Sequence, residues 1–155
     1  MSFRIIGLDP APFHPLFGLS DEELKKHGAL RYRVDHTPGF PDRIEVRDAE
    51  PGETVLLVNY THQSADTPYR ASHAIFVREG AEQVYDRIDE IPEVLRVRLL
   101  SVRGFDDAGL MIDADVVEGR ELEGVIERFF DNPKMAYLQV HFAKRGCYAA
   151  RIERV

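Results

Sequence analysis

An α+β fold with a largely antiparallel β-sheet is predicted for this chain by three features. Tyr137 to Ile152 alternates apolar and polar residues on both sides of Lys144-Arg145-Gly146, the pattern of a β-hairpin with one buried face. Gly119 to Asp131 repeats Leu122, Val125, Ile126, Phe129 and Phe130 at helical spacing, a stripe suited to covering that face. The other apolar runs are short and separated by Pro- and Gly-containing turns.

Taken in order, Phe3 to Leu8 reads as a strand that ends where Asp9-Pro10, Pro12 and Pro15 force an extended, irregular path. Ser20 is placed to cap a short helix near residues 20–27, with Glu23 completing a capping box and Gly28 ending the turn. Ala29 to Asp35 alternates as a half-exposed strand. After Pro38-Gly39-Phe40-Pro41, Arg43 to Arg47 resumes as a strand with Ile44 and Val46 inward. Thr54 to His62 begins with Val55-Leu56-Leu57-Val58, which predicts a central strand covered on both faces. Ser72 to Arg78 returns as a strand after a polar loop. A second short helix falls near residues 92–99, followed by strands at Leu100–Phe105 and Leu110–Val117, and Asn132-Pro133 ends the main helix at 119–131.

The hairpin register decides which residues share a face. With Lys144-Arg145-Gly146 as a three-residue loop, Ala143 pairs with Cys147, Phe142 with Tyr148, Val140 with Ala150 and Leu138 with Ile152. One face is then wholly apolar. On the other, His141 opposite Ala149 and Cys147 opposite Ala143 stand diagonally with small neighbours, about 7–8 Å apart. Shifting the loop by one residue would set Val140 against Arg151 and Leu138 against Glu153.

A length of 155 residues suits a single domain over 1–155 that needs no metal or disulfide to hold its core. The net charge of -7 and the absence of any Lys/Arg run longer than two residues argue against a nucleic-acid partner. One cysteine excludes an internal disulfide and fits a reducing compartment. The start MSFRIIGLDP has no secretory pattern and no apolar run reaches membrane-spanning length, so the expected location is cytoplasmic, with no membrane partner. Nothing in the sequence specifies an oligomeric state.

The segments TPYRASHAIFVREGAE and HFAKRGCYAAR, with DPAPFHPLFGLSDEEL, DAEPGETVLL and IDADVVEGRE, resemble a bacterial family known as domain of unknown function 1203. The resemblance runs along essentially the whole chain and implies one compact domain without assigning an activity. It also implies a cysteine directly after the Pro-Gly-Phe-Pro segment. Asp42 stands there in this chain, which leaves Cys147 without a second thiol.

The candidate chemistry gathers around the hairpin. Cys147 is a candidate nucleophile and His141 its base, since a thiolate needs a neighbour that lowers the thiol's pKa. Arg70, Arg151 and the Lys144-Arg145-Gly146 turn are candidates for clamping a small anionic molecule, with His62, Tyr69, Ser72 and His73 as pocket wall. No metal is expected: His62, His73 and His141 lack ligand spacing, and Asp113 with Asp115 reads as an exposed strand face. No cofactor is expected either, because no phosphate-loop or dinucleotide glycine motif is present. The reading from a different class is a non-catalytic binding or protein-interaction module, with Phe13, Phe17, Phe40 and the hairpin face as its surface.

Overall fold

A computed structural model describes residues 2–155 as two main antiparallel sheets, each with its own apolar packing. In chain order the elements are β1 (Phe3–Ile6), a 3-10 turn (Ala11–Leu16), α1 (Asp21–Lys26), β2 (Leu30–Arg33), β3 (Pro41–Asp42) and β4 (Arg47–Asp48). Then come β5 (Thr54–Gln63), β6 (Ala71–Arg78), β7 (Asp86–Ile88), α2 (Glu93–Arg96), β8 (Leu99–Phe105) and β9 (Met111–Glu118). A 3-10 turn (Gly119–Glu121) leads into α3 (Leu122–Phe130), and the chain closes on β10 (Tyr137–Phe142) and β11 (Tyr148–Arg154). The α+β class holds, with antiparallel pairing throughout.

The six-stranded sheet runs β7-β1-β11-β10-β8-β9. The five apolar residues of the α3 stripe lie in one core with Leu138, Val140, Ala150 and Ile152, so the helix covers the hairpin as its periodicity requires. The three-stranded sheet runs β2-β5-β6. There Leu56, Val58, Ile75 and Val77 pack against Phe13 and Leu24, while Val55 packs with Val34 and Ala49 elsewhere. The apolar start of β5 is therefore covered on both sides, as its lack of alternation predicts. Among the described residues no helix is long and apolar enough to cross a membrane.

Local chemistry explains both agreement and departure. Ser20 Oγ accepts the Glu23 N–H at 3.1 Å and starts α1 where the capping pattern puts it. The Pro-rich segment is a 3-10 turn rather than an extended path. Asp9 accepts the Ala11 N–H at 2.9 Å, and Phe13 is buried against the second sheet. Arg43 to Arg47 is mostly turn and not a strand: the buried Asp42 carboxylate accepts the Glu45 N–H and the Arg78 N–H, each at 2.7 Å. That clamp folds the segment back, with Val46 at φ 51. The short β7 pairs with β1 at the sheet edge, where its three residues carry too little alternation to be seen in the sequence.

Candidate functional site

The hairpin begins in the expected register and then leaves it. Leu138 pairs with Ile152 and Val140 with Ala150, but the next pair is His141 with Tyr148, so Ala149 is an extra residue on β11. This is a β-bulge. The Phe142 N–H donates to Cys147 O at 2.9 Å and the Gly146 N–H to Phe142 O at 2.7 Å, closing the loop over residues 143–146 with Gly146 at φ 79. The expected pairs Ala143–Cys147, Phe142–Tyr148 and His141–Ala149 are thus displaced by one residue along β11. Because side chains alternate with period two, that step reverses the face. Tyr148 joins His141 on one side, and Cys147 joins Phe142 on the α3 side.

Cys147 and His141 consequently share no face, which corrects the expectation of a common pocket. Cys147 is 8% exposed within the main core. Its neighbour there is Arg43, only 2% exposed, whose Nε donates to Tyr148 O at 2.8 Å and whose Nη1 donates to Pro41 O at 2.7 Å. The Arg43 guanidinium lies 5.1 Å from the centre of the Phe142 ring, and that of Arg98 lies 5.0 Å from the same ring. Burial pushes Arg43 below the usual arginine range, while Cys147 and Asp42 act in the opposite direction. Sequence reasoning missed this buried arginine, since an Arg between Asp and Ile reads as a solvent-facing strand residue.

On the other face, Gln139 and His141 of β10 lie beside Arg103 and Ser101 of β8, their cross-strand partners. His62 arrives from β5: its Nδ1 donates to Gln139 Oε1 at 2.9 Å, and Gln139 Nε2 donates back to His62 O at 2.8 Å. The His62 and His141 ring centres are 4.7 Å apart, and His62 stacks on Tyr148 at 5.8 Å. His141 Nδ1 faces Gly146 O at 3.0 Å while its Nε2 faces Gln139 Oε1 at 3.2 Å. A neutral imidazole has one N–H, so in either tautomer one lone pair confronts an oxygen. Burial, reinforced by the Arg103 charge, nevertheless lowers His141 to about 3 against the opposing pull of the Gly146 carbonyl. His62 is also lowered, first by burial, with Gln139 opposing and Arg103 and His73 adding repulsion.

Arg103 stands out electrostatically. It is partly buried, its Nε donates to Ser101 Oγ at 3.3 Å, and it forms no ion pair with a carboxylate among the described residues. Desolvation lowers its pKa below the usual arginine range. The alternation of Ser101 and Arg103 with Leu100 and Val102 marks this face in the sequence, but nothing local says that His62 will meet it.

The remaining expected site residues are dispersed. His73, opposite Tyr60, is half-buried and close enough to oppose protonation of His62 and His141. Ser72 lies opposite Thr61 and is exposed. Arg70 Nη1 donates to its own loop at Ser64 O, 2.6 Å, and Tyr69 sits edge-on to Phe105 with ring centres 6.4 Å apart. Lys144 and Arg145 are exposed at the hairpin tip beyond Phe142, at the other end of β10 from that loop, so Arg70 and the tip do not form one clamp. The Gly146 carbonyl is turned to His141. Arg151 covers the Tyr137 ring at 3.9 Å and pairs with Glu153 at 3.3 Å. Of the rings assigned to an interaction surface, Phe13 is buried, and Phe17 and Phe40 are packed against apolar clusters. No group of three or more His, Cys, Asp or Glu side chains among the described residues is arranged to hold a metal ion.

The sequence profile of a family described as "Protein of unknown function (DUF1203)" matches residues 39–154. The chain belongs to the DUF1203 family. The DUF1203 match spans His62, Arg103, Gln139 and His141, so the whole cluster lies within the family region, while the 3-10 turn, α1 and β2 precede it. No curated protein and no solved structure matches the chain.

Proposed function

We propose that this DUF1203 protein binds a small anionic molecule on the face where Arg103, His62 and His141 meet. The observation that carries this reading is Arg103, a partly buried guanidinium without a carboxylate partner among the described residues. A desolvated cation that the protein leaves uncompensated is stabilised by an incoming carboxylate or phosphate through charge-assisted hydrogen bonds. His62 supports it: Nδ1 is committed to Gln139, which leaves Nε2 to meet a ligand. Acid–base work, assigned from sequence to His141, falls more naturally to that nitrogen, because both His141 nitrogens face protein oxygens. A cytoplasmic setting, where small phosphorylated and carboxylated molecules abound, agrees with the single unpaired cysteine.

The test is a calorimetric titration with inorganic phosphate, acetate and succinate, repeated on Arg103→Gln and Arg103→Lys. Binding by the native chain, loss of about tenfold or more in Arg103→Gln and partial recovery in Arg103→Lys are expected. Unchanged affinity in Arg103→Gln, or no binding by any anion, would remove the assignment.

A further inference from the structure

We infer that the molecule taken by this face is an amphiphilic carboxylate, with its head at Arg103 and an apolar chain lying along β9; this rests on the anion-binding reading above. The registers place the two halves of such a ligand side by side. Arg103 pairs with Ala114 and Ser101 with Val116, so these residues share one face of the sheet. Directly opposed residues of an antiparallel pair have Cβ atoms about 4.5–5.5 Å apart. Ala114 is small, and next to it on β9 Val116 is 59% exposed, with Leu99 of β8 at 37%. The opposite face of β9 is already satisfied: Asp115 pairs with Arg128 of α3, and Val117 packs against the main core.

Charge complementarity selects the occupant. An inorganic anion would neutralise Arg103 and leave Val116 and Leu99 in water. A neutral hydrocarbon would cover the strip and leave the guanidinium uncompensated. A molecule carrying both features satisfies both. The direction of the chain also follows from what is already covered. Toward Phe105, Tyr69 and Tyr137 lie on the sheet, and Ala65 and Thr67 of the 64–70 loop reach Gly109. The open direction runs past Val116 to the Leu99–Glu118 pair, where Glu118 ends the apolar strip with a like charge. At about 3.3 Å per residue that distance is about 13 Å, room for roughly eight to twelve carbons.

The experiment titrates the native chain with acetate, butanoate, hexanoate, octanoate and decanoate below their micellar concentrations. Octanol, octyltrimethylammonium and inorganic phosphate are run beside them. Affinity is expected to rise about two- to fourfold per methylene, with octanol and the cation at least tenfold weaker than octanoate. Val116→Ser, at an exposed position, is expected to reduce decanoate affinity and leave that of acetate unchanged, whereas Arg103→Gln reduces both. Phosphate and acetate binding as tightly as decanoate would overturn the inference and leave the anion reading standing. Octanol matching octanoate would overturn it by removing the head group's role, as would binding to anionic vesicles in the absence of any binding of monomeric decanoate. Absence of binding by every anion would remove both readings.

Discussion

Gln139 and His62 exchange two hydrogen bonds between the two main sheets, Nδ1–H to Oε1 at 2.9 Å and Nε2–H to the His62 carbonyl at 2.8 Å. Gln139 is 3% exposed on β10 and His62 sits near the end of β5, so this reciprocal pair fixes how the β5 terminus approaches the Arg103 face. The amide orientation is decided by the carbonyl, which accepts only from the –NH2 side.

Gln139→Leu keeps much of the volume and removes both bonds, stranding a part-buried N–H and carbonyl. A loss of about 2–3 kcal/mol is expected from urea unfolding. A variant as stable as the native chain would show that the joint carries no energy.

His141 makes stability depend on pH. Its ordinary value of 6.5 falls to about 3 in the fold, so the unfolded chain binds the extra proton between those values. The contribution is fully present above 6.5 and is lost as pH falls toward 3, with a slope of up to about 1.4 kcal/mol per unit. Stability curves at pH 7, 6, 5 and 4 should show it, and His141→Gln should flatten this slope. Glu53 and Glu79, each lowered to about 2 by arginine partners, add acid sensitivity of the same sign below about 4.5 that the substitution leaves in place.

Anion binding should strengthen as pH falls below 6.5 toward the lowered pKa of His62. Neutral His62 presents a bare Nε2 to the ligand, and an arriving anion raises its pKa from the lowered value, so binding takes up a proton. Calorimetry in buffers of different ionisation enthalpy measures that uptake. In His62→Gln, proton uptake should disappear while residual affinity persists.

Two glycines should respond with opposite signs. A Cβ on Gly119 would lie 1.8 Å from Leu95 O, a backbone atom that cannot move aside cheaply, so Gly119→Ala should cost at least about 2 kcal/mol. Gly124 lies in α3 with nothing within 4 Å of the added atom, and Gly124→Ala should stabilise by about 0.5–1 kcal/mol. Melting temperatures of the two variants test the contrast.

Cys147 should react with a thiol reagent in step with unfolding, because its sulfur lies in the main core beside Arg43. Rapid labelling of the folded chain would contradict the bulged register. Cys147→Ala is expected to bind anions as the native protein does, since the thiol is on the far side of the sheet from Arg103.

What the sequence by itself determined was whatever repeats locally. The α3 stripe, the Ser20 cap, the double coverage of Val55 to Val58 and the pairs Leu138–Ile152 and Val140–Ala150 follow from periodicity and turn chemistry over a few residues. The fate of Cys147 was not legible there. Ala149 and Ala150 are both small enough to be buried in the main core, so the hairpin can absorb an extra residue and turn Tyr148 outward to the second sheet. The meeting of His62 with Gln139 and Arg103, and the burial of Arg43 under Phe142, likewise depend on segments distant in sequence. Only the tertiary structure decided these, because alternation specifies which residues share a strand face but not what arrives to cover it.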